Sequence, residues 1–224
     1  MSWSEMGEWW LTELAADPAY EAVVTPMLFD VLEPEPGALY LDLGCGEGRV
    51  MSAFLERRAR VHGVEINDGL ATRAAVIAPA IVGRLPDLRF LRSDAYDGAY
   101  CVLVLEHIPD HEAFFMATAR VVRPGGALAL VTNHPSWTAP GSTPITDADG
   151  EILWRPGDYF SSGHSEEPAG DGTVVFHHRS MGSLLSAAAD AGWSLDQLVE
   201  TAHHDFEDQA GIPRLMASRW SLLP

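Results

Sequence analysis

The sequence predicts an α/β protein built on a mainly parallel sheet of seven strands. From residue 38 onward, short apolar segments typical of strands alternate with segments of helical periodicity. This alternation and spacing imply right-handed strand–helix–strand units. The segment YCVLVL at residues 100–105 is apolar throughout, as expected for a parallel strand covered on both faces. A length of 224 residues suits one domain, which we predict over residues 1–224.

The individual elements follow from periodicity and from the residues that interrupt it. Residues 1–35 are predicted to form a helical N-terminal cap, in which Pro26 should kink the second helix or start a new turn. The predicted strands cover residues 38–43, 60–65, 88–91, 100–105, 127–132, 193–201 and 215–222. The predicted helices of the sheet domain cover residues 49–58, 68–82, 110–122 and 180–191.

An insertion after the fifth predicted strand, residues 136–172, breaks the alternation. It is rich in Gly, Pro, Ser and Asp, and it carries aromatic side chains at Trp154, Tyr159 and Phe160. A long irregular segment within a compact domain is usually either functional or disordered. We therefore expect a lid over the substrate or, alternatively, a disordered surface loop.

Charge and composition exclude several classes of function. The chain has 32 acidic and 14 basic residues, a formal charge of -18, and every basic residue is Arg. This charge disfavours nucleic-acid partners, which are bound by clustered Lys and Arg. The absence of Lys excludes a Schiff-base lysine and a P-loop lysine. The spacing of Cys45 and Cys101 suits neither a zinc site nor a disulfide framework, so we predict no metal.

The location of the protein is predicted from two features. No segment approaches the roughly 18 consecutive apolar residues needed to span a bilayer. The N-terminal sequence MSWSEMGEWW has acidic residues but no basic ones, unlike a signal or transit peptide. We expect a cytoplasmic protein, a monomer or homodimer, with no membrane partner.

A glycine-rich turn, LDLGCGEGR at residues 41–49, follows the first strand and opens a helix. Gly44, Gly46 and Gly48 lack a Cβ atom, so the backbone can turn tightly and a ligand can lie against it. Free amides at the start of the helix would bind a carboxylate. Glu65 ends the adjacent strand, where a carboxylate can accept hydrogen bonds from both hydroxyls of an adenosine ribose. The glycine-rich turn and Glu65 together predict a nucleoside-binding site.

These motifs together resemble the class I S-adenosylmethionine (SAM)-dependent methyltransferases. LDLGCGEGR resembles their motif I, SDAYDGAYCVLVLEHIPD their adenine-binding stretch and fourth strand, and RVVRPGGALALVTNHP the approach to the fifth. The C-terminal segments HHRSMGSLLSAAADAGWSLDQLVE and IPRLMASRWSLLP resemble the last helix and strands. The resemblance implies a Rossmann-like, doubly wound sheet, mostly parallel with an antiparallel last strand. It also implies SAM as cofactor, S-adenosylhomocysteine as product and a small-molecule acceptor, as in the type 11, ubiquinone-biosynthesis-like enzymes.

The resemblance assigns cofactor contacts to residues at the ends of the first four strands. Arg49 is either a further contact or a surface residue, and Trp9 or Trp10 either closes over the cofactor or packs in the core. The cofactor-binding residues expected are Asp42, Gly44, Cys45, Gly46, Glu65, Ile66, Asp94, Ala95 and Leu105.

Histidines are the candidates for a general base. The methyl carbon on a sulfonium is already electrophilic, so a base helps only if the acceptor arrives protonated, and a neutral imidazole suits that task. We predict His107, His134 and, from the adjacent pair His177 and His178, His178 as candidates. Four other histidines are expected at the surface: His111, His164, His203 and His204.

Three functions remain open at this point. The first is methyl transfer from SAM to an oxygen, nitrogen or carbon atom of a small molecule. The second is a regulatory module that binds SAM or a nucleotide without turnover. The third is a nicotinamide oxidoreductase, which would need the spacing GxGxxG where this chain has GxGxG.

Overall fold

The computed structural model describes residues 3–14, 17–170, 172–202 and 211–224. Its N-terminal part is helical, as predicted, and Pro26 lies in the first turn of a helix, where its fixed φ is favourable. The helical pieces are a 3-10 turn (Trp3–Glu5), α1 (Gly7–Trp9), two π-helical turns (Trp10–Leu14 and Tyr20–Val24) and α2 (Thr25–Val31). Within the described ranges, no helix is long and apolar enough to cross a membrane.

The central sheet has seven strands in the order β10-β11-β5-β4-β1-β2-β3. All neighbouring pairs are parallel except those of β11, which runs antiparallel to both β5 and β10. This arrangement confirms the predicted fold class. The strands are β1 (Leu39–Leu43), β2 (Arg60–Glu65), β3 (Ala80–Val82), β4 (Tyr96–Val102), β5 (Val122–Asn133), β10 (Trp193–Ala202) and β11 (Pro213–Leu222).

Helices cover both faces of this sheet and create two apolar cores. They are α3 (Arg49–Glu56), α4 (Asp68–Ile77), α5 (His111–Val121), α6 (Pro135–Thr138) and α7 (Met181–Asp190). Successive side chains of a strand point to opposite faces. Along β5, Leu128 and Leu130 therefore pack with α5 and α7, whereas Ala129 and Val131 pack with α2 and α3. The uninterrupted apolar runs in the sequence reflect burial on both sides.

The third strand lies at residues 80–82, so the prediction of a strand at residues 88–91 is wrong. Helix α4 ends at Ile77 because the residue before a proline, here Ala78 before Pro79, disfavours helical backbone. The following residues are then free to pair with β2. The predicted segment forms turns instead, and the Asp87 carboxylate accepts a hydrogen bond from the Arg89 amide at 3.0 Å.

The insertion contains one β-hairpin and the first strand of a second, so its described residues form more regular structure than the sequence pattern suggests. One hairpin pairs β6 (Thr143–Thr146) with β7 (Ile152–Arg155), and the other pairs β8 (His164–Ala169) with β9 (Gly172–His177). The strands are too short and too polar to show clear alternation. The side chain of Asp147 organises the first turn by accepting hydrogen bonds from two backbone amides, 2.9 Å away in each case.

Phe54 tests how strongly the core beneath α3 stabilises the fold. Its fully buried ring stacks on Tyr100, with ring centroids 4.2 Å apart. Phe54→Ala should lower the free energy of unfolding by about 3–5 kcal/mol, because it leaves a cavity that the sheet cannot close. Urea denaturation followed by circular dichroism measures this. Val76, 87% exposed on α4, is the control, and Val76→Ala should change stability by less than about 0.5 kcal/mol. Equal effects of the two variants would contradict the packing account.

Candidate active site

A cavity of about 390 Å³ opens at the carboxyl ends of β1, β2, β3 and β4. This edge of an open α/β sheet is where such folds bind ligands. Its walls come from the glycine turn, the ends of these strands, the N-terminal helices and β9. The lining residues are Trp3, Trp10, Tyr20, Asp42, Gly44, Cys45, Gly46, Glu47, Arg49, Val50, Val64, Glu65, Ile66, Leu70, Gly83, Arg84, Leu85, Val102, Leu103, Val104, His107, Ile108, Pro109, Val174, Val175 and His177.

The glycine turn borders the cavity in a left-handed backbone conformation. Gly44, Gly46 and Gly48 have φ values of 88°, 54° and 94°, a region that favours glycine. A Cβ atom at Gly44 would lie 2.6 Å from the side chain of Val104, so that position has no room for a side chain. A Cβ atom at Gly46 would make only an ordinary van der Waals contact with the Trp10 side chain, whose indole nitrogen would lie 3.6 Å away.

Two buried carboxylates face this turn. Glu65 accepts hydrogen bonds from the Gly46 amide at 3.0 Å and from the Asn67 amide at 2.8 Å. Burial raises the pKa of Glu65, and these backbone hydrogen bonds partly offset the rise. The carboxylate therefore ties the end of β2 to the turn after β1. Each of its oxygens keeps a further lone pair for a ligand.

Asp42 is the second carboxylate, and it is almost fully buried. Burial raises the pKa of Asp42 well above its ordinary value. The nearby Tyr100 hydroxyl partly offsets this rise, but it lacks hydrogen-bond geometry toward Oδ2, which has no partner among the described residues. A buried polar atom without a partner is costly. The site is therefore suited to a ligand that donates a hydrogen bond.

The N-terminal cap forms the wall over the glycine turn. Trp10 donates from its indole nitrogen to Glu47 at 2.6 Å, and Glu47 also accepts from Arg49 at 2.8 Å. The Arg49 guanidinium lies 4.6 Å above the ring of Tyr20. Arg49 and Trp10 thus line the cavity, whereas Trp9 does not and packs near Trp3.

His107 lies on another wall, in a 3-10 turn (Leu105–His107) after β4. Its Nδ1 atom lies 2.8 Å from the Val175 carbonyl oxygen. A carbonyl only accepts hydrogen bonds, so Nδ1 carries the proton and Nε2 of the neutral ring keeps its lone pair. The ring packs between Trp3 and Phe176, at centroid distances of 4.7 and 4.6 Å. Burial lowers the pKa of His107, and the negative charge of Glu106 offsets part of this effect. The lowered pKa favours the neutral form of the imidazole, which can act as a base.

Several residues predicted from the sequence meet at this cavity. They are Asp42, Gly44, Cys45, Gly46, Glu65, Ile66 and His107. Leu105 does not line the cavity. It is buried in the core with α5 and α7, and the neighbouring Leu103 and Val104 face the cavity instead. The strand ends at Val102, three residues earlier than predicted, which changes the side chains that reach the edge.

Asp94 and Ala95 lie at the wrong edge of the sheet to contact a ligand in this cavity. They precede β4, and their amides donate to the carbonyl oxygens of Arg120 and Val121. The seven residues of β4 separate them from the carboxyl edge by roughly 20 Å. This error follows from the misplaced third strand. The residues that actually follow β3 and line the cavity are Gly83, Arg84 and Leu85.

His134 and His178 also lie outside the cavity lining. His134 bonds Ser136 at 2.5 Å and Glu200 at 2.6 Å, so it caps α6 and ties β5 to β10. His178 is buried, with Thr138 Oγ1 at 3.0 Å and the Tyr159 carbonyl at 2.8 Å. The cavity-facing member of the pair is His177. The choice between these neighbours depended on which face of β9 meets the cavity, and periodicity alone does not determine this.

The aromatic residues of the insertion do not cover the cavity. Trp154 stacks on Trp137 at 4.6 Å, Tyr159 packs near His178, and Phe160 is 90% exposed. None of the described residues between 136 and 170 lines the cavity, so β9, through Val174, Val175 and His177, provides the cover expected of them.

Among the described residues, His111, His164 and the two cysteines belong to no cluster suited to metal binding. His111 contacts Ser183, and His164 is exposed, whereas His203 and His204 lie outside the described residues. Burial raises the pKa of Cys45, so its thiol stays protonated. Within the described part of the chain, no three His, Cys, Asp or Glu residues are placed to hold a metal ion.

Comparisons with known proteins agree with this geometry. Residues 41–130 match the family model described as a methyltransferase domain. A SAM-dependent methyltransferase from Mesorhizobium loti is 25% identical, with a TM-score of 0.75 over 88% of this chain and 96% of its own. A candidate SAM-dependent methyltransferase from Listeria monocytogenes is 20% identical and shares the fold, with a TM-score of 0.82 over 91% of this chain and 100% of its own.

A curated relative agrees with these matches. The ubiquinone biosynthesis O-methyltransferase of Paracidovorax citrulli is 31% identical over 133 residues, or 53% of each chain, so this chain spans about half the length of the curated relatives it matches. The sheet order and the glycine turn define a class I methyltransferase fold. Residues 41–130 therefore resemble a methyltransferase domain, and the described fold is similar to that of solved SAM-dependent methyltransferases.

Gly46 provides a direct test of the cofactor position. Gly46→Val should abolish measurable SAM and S-adenosylhomocysteine binding in titration calorimetry, because the side chain would fill the space beside the turn. Gly125 is the matched control: it also has positive φ, 77°, and a Cβ atom there would have no atom within 4 Å. Gly125→Val imposes similar backbone strain outside the cavity and should bind both compounds normally. Normal affinity in folded Gly46→Val would place the cofactor elsewhere.

Proposed function

We propose that this chain transfers the methyl group of SAM to a hydroxyl oxygen of an uncharged, apolar small molecule, with His107 as the general base. The observation that carries the proposal is the orientation of His107. Its Nδ1–H is held by Val175, and its Nε2 lone pair remains available on a residue that lines the cavity. A SAM-binding module without turnover would not need an oriented, neutral imidazole there.

The residues around the glycine turn fit SAM. The unpartnered Asp42 oxygen can accept from its ammonium group, and Gly46, which lines the cavity without a side chain, lets the ligand approach the backbone. Glu65 can accept from the ribose hydroxyls. Arg84 follows the neighbouring strand β3 and lines the cavity. It is the polar side chain available near the adenine of SAM, where Asp94 was expected. Cys45, Ile66 and Gly44 complete the proposed cofactor-binding set.

The charge distribution of the cavity indicates the kind of acceptor. The carboxylates and guanidiniums in its lining belong to the turn and to the ends of β1, β2 and β3: Asp42, Glu47, Arg49, Glu65 and Arg84. The wall around His107 consists instead of Trp3, Ile108, Pro109, Val174 and Val175, with His177 as its other titratable group. A charged acceptor would lose hydration there without meeting an opposite charge. An uncharged molecule with an apolar surface fits.

His107 provides the proton chemistry of this reaction. When bound, SAM supplies an electrophilic methyl carbon on a sulfonium. With SAM bound, His107 would accept the proton of the acceptor hydroxyl at Nε2, and S-adenosylhomocysteine would leave as the demethylated product. The Val175 carbonyl, bonded to Nδ1–H, stabilises the resulting imidazolium. The cavity walls would orient the acceptor for reaction, and positioning of this kind can contribute about 7–11 kcal/mol.

Substitution of His107 tests its role as the base. His107→Gln should lower kcat by about 10²–10⁴-fold, because glutamine cannot accept the proton. Affinity for S-adenosylhomocysteine should stay unchanged, since the proposed cofactor contacts lie on other residues. Formation of S-adenosylhomocysteine is measured with a panel of phenols and apolar alcohols, and with amines of similar size. His111→Gln, outside the cavity, should keep wild-type activity. A wild-type kcat for His107→Gln, or turnover only with amines, would overturn the proposal.

The pH dependence of kcat/KM gives a second test. Burial lowers the pKa of His107 below its ordinary value of 6.5. The imidazolium that forms below this pKa cannot accept a proton, so kcat/KM should fall only as the pH drops through a value below 6.5. His107→Gln should lose this acid limb, whereas His177→Gln should keep it. An acid limb that persists in His107→Gln would assign the titration to another group.

A further inference from the structure

Arg179 holds the segment that carries His107. This arginine follows β9 and is 7% exposed. Its guanidinium donates to four backbone carbonyls, which lie on both sides of His107 and at the end of β9. They belong to Leu105 at 3.0 Å, His177 at 3.2 Å, Pro109 at 3.0 Å, and Ile108. Given the proposed role of His107, we infer that Arg179 is a positioning residue that fixes this imidazole for proton transfer.

The geometry explains why the side chain is an arginine. A planar guanidinium offers five N–H donors in a fixed fork, so one group can bind several carbonyls at once. A lysine ammonium in the same place is a point charge with three donors on a flexible stem. Burial of a charge is costly unless it is hydrogen-bonded. The four carbonyls of the His107 loop and β9 provide this compensation.

Two contacts from the same segment therefore hold His107. Val175 on β9 fixes the ring through Nδ1, and Arg179, four residues later, fixes the backbone on both sides of the histidine. Glu106 anchors the same turn from the other direction, accepting from the Asn133 amide at 3.2 Å. The imidazole thus has little freedom to rotate or shift, as proton transfer at a fixed site requires.

Arg179 also contributes to the electrostatic environment of the base. The charged or titratable groups that act on His107 are Glu106 from its own turn and Arg179 and His177 from the β9 segment. The Arg179 charge lowers the pKa of His107, and Glu106 raises it. Burial lowers the pKa of Arg179 itself to about 10, so it stays charged at neutral pH. Loss of the Arg179 charge should therefore raise the pKa of His107.

The test compares Arg179 with Arg120, a control that also binds backbone carbonyls. Arg120 donates to Leu88 and Leu91, outside the cavity lining. Arg179→Lys should keep S-adenosylhomocysteine affinity but lower kcat by about 10²-fold, the expected cost of displacing a reacting group by about 1 Å. Arg179→Gln should lower kcat at least as much and move the acid limb of kcat/KM to higher pH. Arg120→Lys and Arg120→Gln should leave kcat and the pH profile unchanged in folded protein.

A double variant separates this inference from the proposed function. In His107→Gln, the further change Arg179→Lys should have almost no effect on kcat, because the positioned group is already absent. Independent, multiplicative losses of kcat would overturn the positioning role, as would a wild-type kcat in folded Arg179→Lys. A wild-type kcat in His107→Gln alone would instead overturn the assignment of the base. Arg179→Lys keeps the positive charge, so its kcat still tests the positioning role if Arg179→Gln does not fold.

Discussion

The hydrogen bond between Glu65 and the Gly46 amide, at 3.0 Å, is the interaction on which the site depends. It joins the end of β2 to the turn after β1 and holds that turn in a conformation that glycine adopts readily. The carboxylate is buried, and its two backbone donors offset part of the cost of burying it. This contact places the Gly46 backbone at the cavity and leaves further lone pairs of Glu65 for a ligand.

The second half of the site comes from sequence-distant elements brought to the same edge. Residues after β4 supply His107, and β9 supplies the carbonyl that sets its protonated nitrogen. The N-terminal cap completes the enclosure through the hydrogen bond between Trp10 and Glu47. Parallel strands with helices on both faces place their carboxyl ends at one edge, so this assembly is a consequence of the sheet topology.

Sequence reasoning identifies the parts of the molecule with strong local signals. Strand β2 begins and ends at the predicted residues, and Gly44, Gly46 and Glu65 lie at the cavity as expected. The prediction for Asp94 is wrong because it overlooks the helix break at Pro79. The third strand therefore lies earlier in the chain than predicted, and so do the residues that follow it at the edge of the sheet. The orientation of His177 and His178 depends on the packing of a short hairpin, for which the local pattern provides no information. The role of Arg179 could not be predicted from the sequence, because its partners are backbone carbonyls, and every residue type has one.

The central claim is that the glycine turn and Glu65 hold the nucleoside of SAM within reach of His107. A crystal structure of the chain with S-adenosylhomocysteine tests it most directly. We predict ribose hydroxyls bonded to the Glu65 carboxylate, the amino-acid end against Asp42 and Gly46, and the thioether sulfur facing the part of the cavity lined by His107. A nucleoside bound outside this cavity, or a ribose with no contact to Glu65, would contradict the account.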